Sequence, residues 1–232
     1  MIVTSASSPK KPGVTNQDSA YSAASGENAV LAVADGIGGR PNGEIASHIA
    51  TSVLADWWDS GRAPNESLFS EVVNEIRNHP EERKTSGMGT TLSFAWAHDQ
   101  LLDVFHVGDG LVAHLRGEGI VRLTRPQNEA QRLLEQGVIS KTVARRYRRR
   151  NVLTSALTAS SSYEVQSVRT TIARGDRILI CTDGLTEILG LREISSVSTS
   201  SPSINEFGEG LNQLVDSRGA VDDYSFSILE YS

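Results

Sequence analysis

The chain has 232 residues, with 22 Lys or Arg against 28 Asp or Glu, and therefore carries a formal net charge of −6. Hydrophobic residues make up 38% and charged residues 22% of the chain, a composition that is typical of globular proteins and excludes a disordered chain, a fibre or a membrane protein. The single Cys181 excludes an intramolecular disulfide and any zinc site built from two or more cysteines.

The first half of the chain combines one apolar strand with two helices. Asn28–Ala34 is a mostly apolar run of strand length that ends at Asp35–Gly36, and such a run predicts a strand buried on both faces. Gly43–Ser60 has apolar residues at three- and four-residue steps, and Ser67–Asn78 repeats that pattern. Both segments are therefore predicted to be amphipathic helices.

A flexible break at Thr85–Gly89 precedes a series of short β-rich segments. The gaps between these segments are only a few residues long and contain Gly, so they can join only antiparallel neighbours. This part of the chain is therefore predicted to be an antiparallel meander. Its predicted strands are Thr90–Ala97, Leu101–Val107, Leu111–Arg116 and Ile120–Thr124.

The remainder of the chain mixes short helices with strands. No repeat of solenoid length and no long low-complexity linker interrupts it, so we interpret residues 1–232 as a single domain. Helices together with meandering strands predict the α+β class with packed sheets. The predicted helices are Asn128–Gln136, Lys141–Arg149 and Ser203–Ser217, and the predicted strands are Val165–Ile172, Arg177–Cys181 and Tyr224–Tyr231.

Three apolar runs end in the same Asp-Gly pair, which begins at Asp35, Asp109 and Asp183. The acidic pair Asp222–Asp223 stands just before the last predicted strand, and Asp18 precedes the first strand pair. Carboxylates that meet at one rim repel one another, and divalent cations such as Mg²⁺ or Mn²⁺ remove that repulsion. A single Asp-Gly is more often a simple turn. Three of them at strand ends favour a metal site over three unrelated turns.

Other phosphate and metal chemistries lack their sequence motifs. A cysteine phosphatase needs an Arg six residues after its nucleophile, but Glu187 stands there relative to Cys181. The chain contains no Asp-x-Asp, no EF-hand loop, no His-Glu-x-x-His and no Walker-type loop. The convergent acids are therefore the strongest functional signal.

Seven motifs follow one another in a characteristic order. They are Asn16–Asp18 (NQD), Val33–Ser47 (VADGIGGRPNGEIAS), Gly87–Thr91 (GMGTT), Val107–Asp109 (VGD), Leu153–Leu157 (LTSAL), Ile180–Gly184 (ICTDG) and Asp222–Asp223. In this order the chain resembles the metal-dependent serine/threonine protein phosphatases, the PPM or type 2C family, and especially its compact bacterial members. The resemblance extends from about residue 13 to the end. It implies a four-layer α-β-β-α sandwich, with two antiparallel sheets packed face to face and helices outside.

The resemblance also implies a role for each acid at the rim. Asp35 would bridge two metal ions, and Asp183 and Asp222 would complete the first. The Gly36 carbonyl would bind the second ion, with Asp18 acting nearby through water.

A third, looser metal site is implied at Asp109 together with Asp183. The implied cofactors are therefore two or three Mn²⁺ or Mg²⁺ ions. The family mechanism is direct hydrolysis, in which a hydroxide held between two metal ions attacks phosphorus in line and no phosphoenzyme forms. The implied catalytic residues are the metal ligands Asp18, Asp35, Asp183 and Asp222.

The position that usually binds the substrate phosphate differs in this chain. The family usually has an Arg three residues before the Asn of the NQD motif, where Gly13 stands here. Lys10, Lys11 and Arg40 are the candidate replacements, and the alternatives stay open. The usual His for the leaving group is also missing, and a metal-bound water is its simplest substitute. Asp223 replaces the more usual Asn after the last metal ligand.

The segment at about residues 125–150, within Thr124–Asn151, corresponds to the flap, which overhangs the site in the family and varies between members. Five arginines lie here, and a solvated basic surface is the plain interpretation. Our hypothesis is that they attract a phosphorylated or acidic substrate. The acidity of the whole chain argues against a nucleic-acid arm. These residues are Arg145, Arg146, Arg148, Arg149 and Arg150.

The sequence thus predicts a metal-dependent protein serine/threonine phosphatase. The alternatives are a catalytically weak or inactive binding module on the same fold, and a two-metal hydrolase of a small phosphate ester. The expected partners are phosphorylated proteins made by a cognate serine/threonine kinase, without nucleic acid or membrane, and a monomer is expected. Residues 1–11 lack the apolar core of a signal peptide, and no apolar run approaches the ~18 residues of a membrane span. The expected compartment is therefore the cytoplasm.

Overall fold

The computed structural model describes residues 1–160 and 162–232 of the chain. The strands are β1 (Ile2–Ser8), β2 (Asp18–Ser25), β3 (Asn28–Asp35), β4 (Gly89–Thr90), β5 (Leu92–His98), β6 (Leu101–Val107), β7 (Leu111–Arg116), β8 (Gly119–Arg122), β9 (Leu157–Thr158), β10 (Gln166–Thr171), β11 (Arg177–Cys181) and β12 (Tyr224–Glu230). The helices are α1 (Gly43–Asp59), α2 (Ser67–Asn78), α3 (Pro80–Thr85), α4 (Glu129–Glu135), α5 (Lys141–Ala144), α6 (Asp183–Ile188), α7 (Leu191–Ser200) and α8 (Ile204–Arg218).

The strands form two five-stranded sheets and one two-stranded ribbon. One sheet has the order β1-β12-β11-β7-β8, the other has the order β10-β6-β5-β3-β2, and the ribbon pairs β4 with β9. Each pairing between these strands is antiparallel. The predicted meander is therefore confirmed for β5 and β6 and for β7 and β8. It is wrong between β6 and β7, because the short Gly-rich connection Gly108–Gly110 passes from one sheet to the other.

Three apolar layers place the two sheets between two layers of helices. The inner layer joins Leu31 and Val104 of one sheet to Ile180 and Leu229 of the other. On the outer face of the sheet that contains β3, α1 and α2 pack through side chains such as Phe69. On the other outer face, α7 and α8 cover β11 and β12. The chain is thus the predicted four-layer α-β-β-α sandwich.

Strand β3 shows why its sequence is almost entirely apolar. Its residues alternate between the two layers, so that Val30 and Ala32 face the helices while Leu31 and Val33 face the opposite sheet. A strand with an apolar layer on each side needs apolar residues at consecutive positions. The prediction of a strand buried on both faces is confirmed.

Other elements differ from the expectations. Strand β1 has a serine-rich sequence without an apolar run, and it forms by pairing along its whole length with β12. Helix α5 ends at Ala144 and not at Arg149 as predicted. Like charges at neighbouring helical positions destabilise a helix, and the arginines after Ala144 lie in successive turns instead.

Within the described residues, no helix is both long enough and apolar enough to cross a lipid bilayer.

Candidate active site

The acids singled out in the sequence meet at one rim of the sandwich. Asp18 begins β2 and lies opposite Asp35, the last residue of β3, in the antiparallel register. Asp109 follows β6, and Asp183 follows β11 as the first residue of α6. Carboxylate oxygens of Asp35, Asp109 and Asp183 all lie within 4.8 Å of one another. Segments from both sheets therefore supply one compact acidic cluster.

A cleft of about 440 Å³ opens over this cluster. Asp35, Asp109, Asp183 and Asp222 line its floor together with Gly36, whereas residues 151–156 and Ser162 contribute another part of the wall. Asp18 is buried and is not part of the lining. The cleft is therefore acidic, and its wall includes the chain that leaves the flap.

Burial and mutual repulsion hold the carboxyl groups toward their neutral forms. Burial raises the pKa of Asp18 to about 7. The hydrogen bond from Thr182 lowers this pKa, whereas the negative charge of Asp183 raises it. Burial and the charge of Asp183 likewise raise the pKa of Asp109 to about 8. Burial and the charge of Asp18 raise the pKa of Asp35 well above its ordinary value. Such a site strongly favours added positive charge.

The donor set fits hard divalent cations. It offers carboxylate oxygens, with the backbone carbonyl of Gly36 at the same rim, and no sulfur or imidazole ligand among the described residues that line the cleft. Mg²⁺ and Mn²⁺ prefer such oxygen ligands. The three carboxylates that approach within 4.8 Å match the spacing that one or more shared ions require.

Gly36 is required by the close approach of three chain segments. A Cβ atom at this position would lie 2.3 Å from the Gly43 carbonyl oxygen and 2.7 Å from that of Gln17. The Gly36 N–H donates to the Gln17 carbonyl at 3.0 Å, which fixes the loop after β3. The residue can therefore be only Gly, as the Asp-Gly motif suggested.

Asp18 is held by a contact that the sequence did not indicate. The Thr182 hydroxyl donates to Asp18 Oδ2 at 2.7 Å, and the same hydroxyl accepts the Ser225 N–H at 2.9 Å. Asn16 Oδ1 accepts the Asp18 N–H at 3.0 Å. These partners lie in three separate parts of the chain, and no local motif joins Thr182 to Asp18.

The candidate phosphate-binding cations occupy different positions. Lys10 Nζ lies 3.4 Å from Asp222 Oδ1, so Lys10 reaches the acidic rim. Arg40 lines the cleft and donates from Nη1 to the Gly87 carbonyl at 3.2 Å. Lys11 is exposed, and neither Lys10 nor Lys11 is part of the cleft lining.

Asp223 fastens the N-terminal segment to this rim. Its two carboxylate oxygens accept the backbone N–H groups of Lys10 and Gln17, each at 2.8 Å. One residue thus anchors both the segment that carries Lys10 and the loop that carries Asp18. The sequence identified Asp223 only as a departure from the more usual Asn.

Cys181 is a core residue. It is completely buried, and burial raises the pKa of its thiol to about 12. A protonated, inaccessible thiol is a poor nucleophile. The expectation of chemistry without a cysteine nucleophile is consistent with this environment.

Comparisons with known proteins agree with this geometry. The family model described as "Protein phosphatase 2C" matches residues 7–222. The serine/threonine phosphatase stp of Listeria innocua is 28% identical over 211 residues, covering 87% of this chain and 84% of the relative. The crystal structure of the Mycobacterium tuberculosis serine/threonine phosphatase PstP/Ppp is 27% identical with a TM-score of 0.86, covering 100% of this chain and 98% of that one. A structure of the PstP catalytic domain with two manganese ions is 26% identical with a TM-score of 0.80, covering 99% and 97% of the two chains.

Proposed function

This chain belongs to the protein phosphatase 2C family, and we propose that it uses divalent metal ions to hydrolyse phosphoserine and phosphothreonine esters of proteins. The observation that carries the proposal is the convergence of acids from separate segments, with oxygens of Asp35, Asp109 and Asp183 within 4.8 Å of one another. The manganese ions in the PstP structure support the choice of cofactor.

The acids divide into ligands of different ions. Asp35, Asp183 and Asp222 would hold one ion, and Asp35 and the Gly36 carbonyl would hold a second. Asp18 acts through water, in keeping with its burial outside the cleft lining.

Asp109 and Asp183 would hold a third ion. When bound, the ions supply Lewis-acid chemistry, because they lower the pKa of water and neutralise charge on a phosphoryl group. The rigid ends of β3 and β11 hold the ligands in place, so little reorganisation is needed when substrate arrives.

Lys10 takes the place of the phosphate-binding Arg. Its ammonium group lies 3.4 Å from Asp222 Oδ1, at the acidic rim of the cleft. From there Lys10 can donate to a phosphoryl oxygen of the substrate. Arg40 is the cation that lines the cleft among the described residues, and it holds the Gly87 loop through its bond to the carbonyl.

A comparison of two neighbouring lysines tests this role. Lys10→Ala should raise KM for a phosphothreonine peptide about tenfold, since a charge-assisted hydrogen bond to phosphate is lost. Lys11→Ala removes an equal charge one residue away and should change KM less. Equal effects of the two substitutions would refute the assignment to Lys10.

Turnover distinguishes the phosphatase from the inactive binding module. The protein should hydrolyse both p-nitrophenyl phosphate and a phosphothreonine peptide when Mn²⁺ is present, and neither after chelation. A panel of phosphopeptides and small phosphate esters then separates the protein phosphatase from a metabolite hydrolase, since the former should prefer the peptides. Preference for a small ester would contradict the proposal.

The phosphoproteins it acts on are products of a serine/threonine kinase. Because kinases use ATP, we expect phosphorylation by the kinase and dephosphorylation by this enzyme to take place in the cytoplasm. We also expect the enzyme to be a monomer. Light scattering on the purified protein tests the oligomeric state, and fractionation of cells tests the compartment.

A further inference from the structure

Within the flap, residues 124–151, the five arginines at positions 145–150 fall into two groups. Arg149 Nε lies 2.8 Å from Glu129 Oε2, and Arg150 Nη2 lies 3.0 Å from Glu187 Oε1. These two side chains fasten the flap. The others are exposed, and their guanidinium groups make no ion pair with any described residue. This second group, the free arginines, consists of Arg145, Arg146 and Arg148.

The flap is anchored at its base, so the free arginines occupy a defined place. Asn128 and Leu153 form an antiparallel bridge, and the Glu129 N–H donates to the Val152 carbonyl at 2.9 Å. The Tyr147 hydroxyl donates to Glu129 Oε1 at 3.0 Å. Tyr147, which lies between the free arginines, and Val152, which follows them, thus bond this turn to the base of the flap.

This turn lies close to the cleft along the chain. Asn151 lines the cleft, and Arg148 precedes it by three residues, a separation of at most about 11 Å. A substrate peptide covers that distance with about three to five residues in an extended conformation. Arg148 is therefore within reach of side chains that flank a phosphorylated residue in the cleft, and Arg145 and Arg146 precede it by two to three residues.

The charge of the flap is opposite to that of the rest of the molecule. Residues 124–151 contain eight Lys or Arg and two Asp or Glu, which gives +6, while the remaining residues carry −12. A basic patch beside an acidic cleft attracts anionic groups and steers them toward it. The charge pattern thus distinguishes an acidic peptide from a neutral or basic one.

We propose that Arg145, Arg146 and Arg148 select phosphoproteins in which Asp or Glu residues flank the phosphorylated Ser or Thr. This inference rests on the proposed phosphatase function and names its substrate class. A guanidinium group binds a carboxylate through two parallel hydrogen bonds. The arginines that are already paired with Glu129 and Glu187 hold the flap, and the free ones bind the substrate.

The test uses two phosphothreonine peptides of equal length, one with three Glu near the phosphothreonine and the other with Gln at the same positions. With Mn²⁺ at low salt, kcat/KM of the wild type should be about tenfold higher for the acidic peptide than for the Gln peptide. Each exposed ion pair between an arginine and a Glu of the peptide increases the affinity by up to about fivefold. The triple substitution Arg145→Gln, Arg146→Gln, Arg148→Gln should reduce this ratio to about one. High salt should reduce it in the wild type, because exposed charges are screened.

The matched control removes arginines elsewhere. Arg174 and Arg192 are exposed and do not line the cleft, so the double substitution Arg174→Gln, Arg192→Gln should keep the wild-type ratio. No preference in the wild type, or the same preference in the flap variant, would overturn the proposal.

The outcomes also separate this inference from the phosphatase function. If neither peptide is hydrolysed with Mn²⁺, the proposed function fails. Fluorescence anisotropy of the two labelled peptides then still measures whether the free arginines prefer the acidic one. If the triple variant binds a labelled single-stranded oligonucleotide more weakly than the wild type does, but binds the acidic peptide equally well, the free arginines bind nucleic acid and the inference is wrong.

Discussion

Thr182 and Asp18, which are 164 positions apart in the chain, are joined by a hydrogen bond of 2.7 Å from the threonine hydroxyl to Asp18 Oδ2. Thr182 follows β11 and Asp18 begins β2, so the bond connects the two sheets at the rim that carries the acids. Because the Thr182 hydroxyl also accepts the Ser225 N–H, its proton is directed at Asp18. Thr182 therefore orients a carboxylate of the candidate metal site.

Replacing Thr182 tests this orienting role. Thr182→Val keeps the shape but removes the donor, and loss of a partner that orients a metal ligand weakens metal binding by about 10- to 100-fold. We expect isothermal titration calorimetry with Mn²⁺ to report a decrease in affinity in that range.

Thr182→Ser is the matched control because it keeps the hydroxyl. It should bind Mn²⁺ nearly as tightly as the wild type. If Thr182→Val retained wild-type affinity, the orienting role would be wrong.

Asp35 and Asp183 should show a trade-off between activity and stability. Asp35→Asn and Asp183→Asn remove metal ligands, and we expect kcat on a phosphothreonine peptide to fall by more than about 100-fold. Without metal the same substitutions relieve repulsion between carboxylates, because burial and neighbouring acids raise the pKa of both residues. A shift of one pKa unit corresponds to about 1.4 kcal/mol, so urea unfolding in chelator should show stabilisation of that order.

Asp59→Asn is the control for both measurements, since Asp59 is exposed and is not part of the cleft lining. It should leave turnover and stability unchanged. Undiminished turnover in Asp35→Asn and Asp183→Asn would contradict the metal-site assignment.

The sequence predicted the parts of the site that have local signals. An apolar run followed by Asp-Gly marks the end of a strand, so Asp35 and Asp183 could be placed at a rim from their neighbours alone. Helices α1 and α2 were also predictable, because their apolar residues follow the helical period.

Contacts between distant segments were not predictable in this way. The bonds of Asp223 to Lys10 and Gln17 span more than 200 residues, and no composition or spacing signals them. The same holds for Thr182 and Asp18. The five arginines at positions 145–150 are alike in sequence but differ in their contacts. Only the positions of Glu129 and Glu187 separate the paired from the free side chains.

Asp176 should make the fold sensitive to acid. Its carboxylate is buried, which opposes ionisation, but hydrogen bonds from Arg116, the Ala173 N–H and His114 outweigh burial and lower the pKa of Asp176 to about 2. Because the pKa is lower in the folded than in the unfolded chain, this stabilisation is complete above about pH 4 and is lost as the pH falls toward 2. The free energy of unfolding, measured by urea denaturation at several pH values, should therefore decrease over this interval.

Asp176→Asn should weaken that dependence and lower stability at neutral pH by about 2 kcal/mol, because hydrogen bonds to a charged carboxylate are lost. Glu193→Gln is the control, because Glu193 pairs with Arg218 at the surface, where water screens the interaction. A loss of stability as large in Glu193→Gln as in Asp176→Asn would contradict the role of burial.

Asp223 offers the sharpest test of how the N-terminal segment is attached. Its two oxygens each accept a backbone N–H, from Lys10 and from Gln17, whereas an Asn side chain has one accepting oxygen. Asp223→Asn therefore removes one bond, and hydrogen bonds to charged groups contribute about 2 kcal/mol. The same substitution also lowers the acidic charge that acts on Asp18. Without metal, the lost hydrogen bond lowers the stability of the fold while the reduced repulsion between carboxylates raises it. With metal bound, cations already neutralise the carboxylates, so only the lost hydrogen bond affects stability.

We therefore expect Asp223→Asn to destabilise the Mn²⁺-bound protein by about 2 kcal/mol and the metal-free protein by less. If Asp223 holds Lys10 in position for the phosphate, Asp223→Asn should also raise KM for a phosphopeptide. The double variant with Lys10→Ala should then add little to the effect of Lys10→Ala alone, because the two substitutions act on one contact. Additive effects on KM would mean that Asp223 stabilises the fold without positioning Lys10.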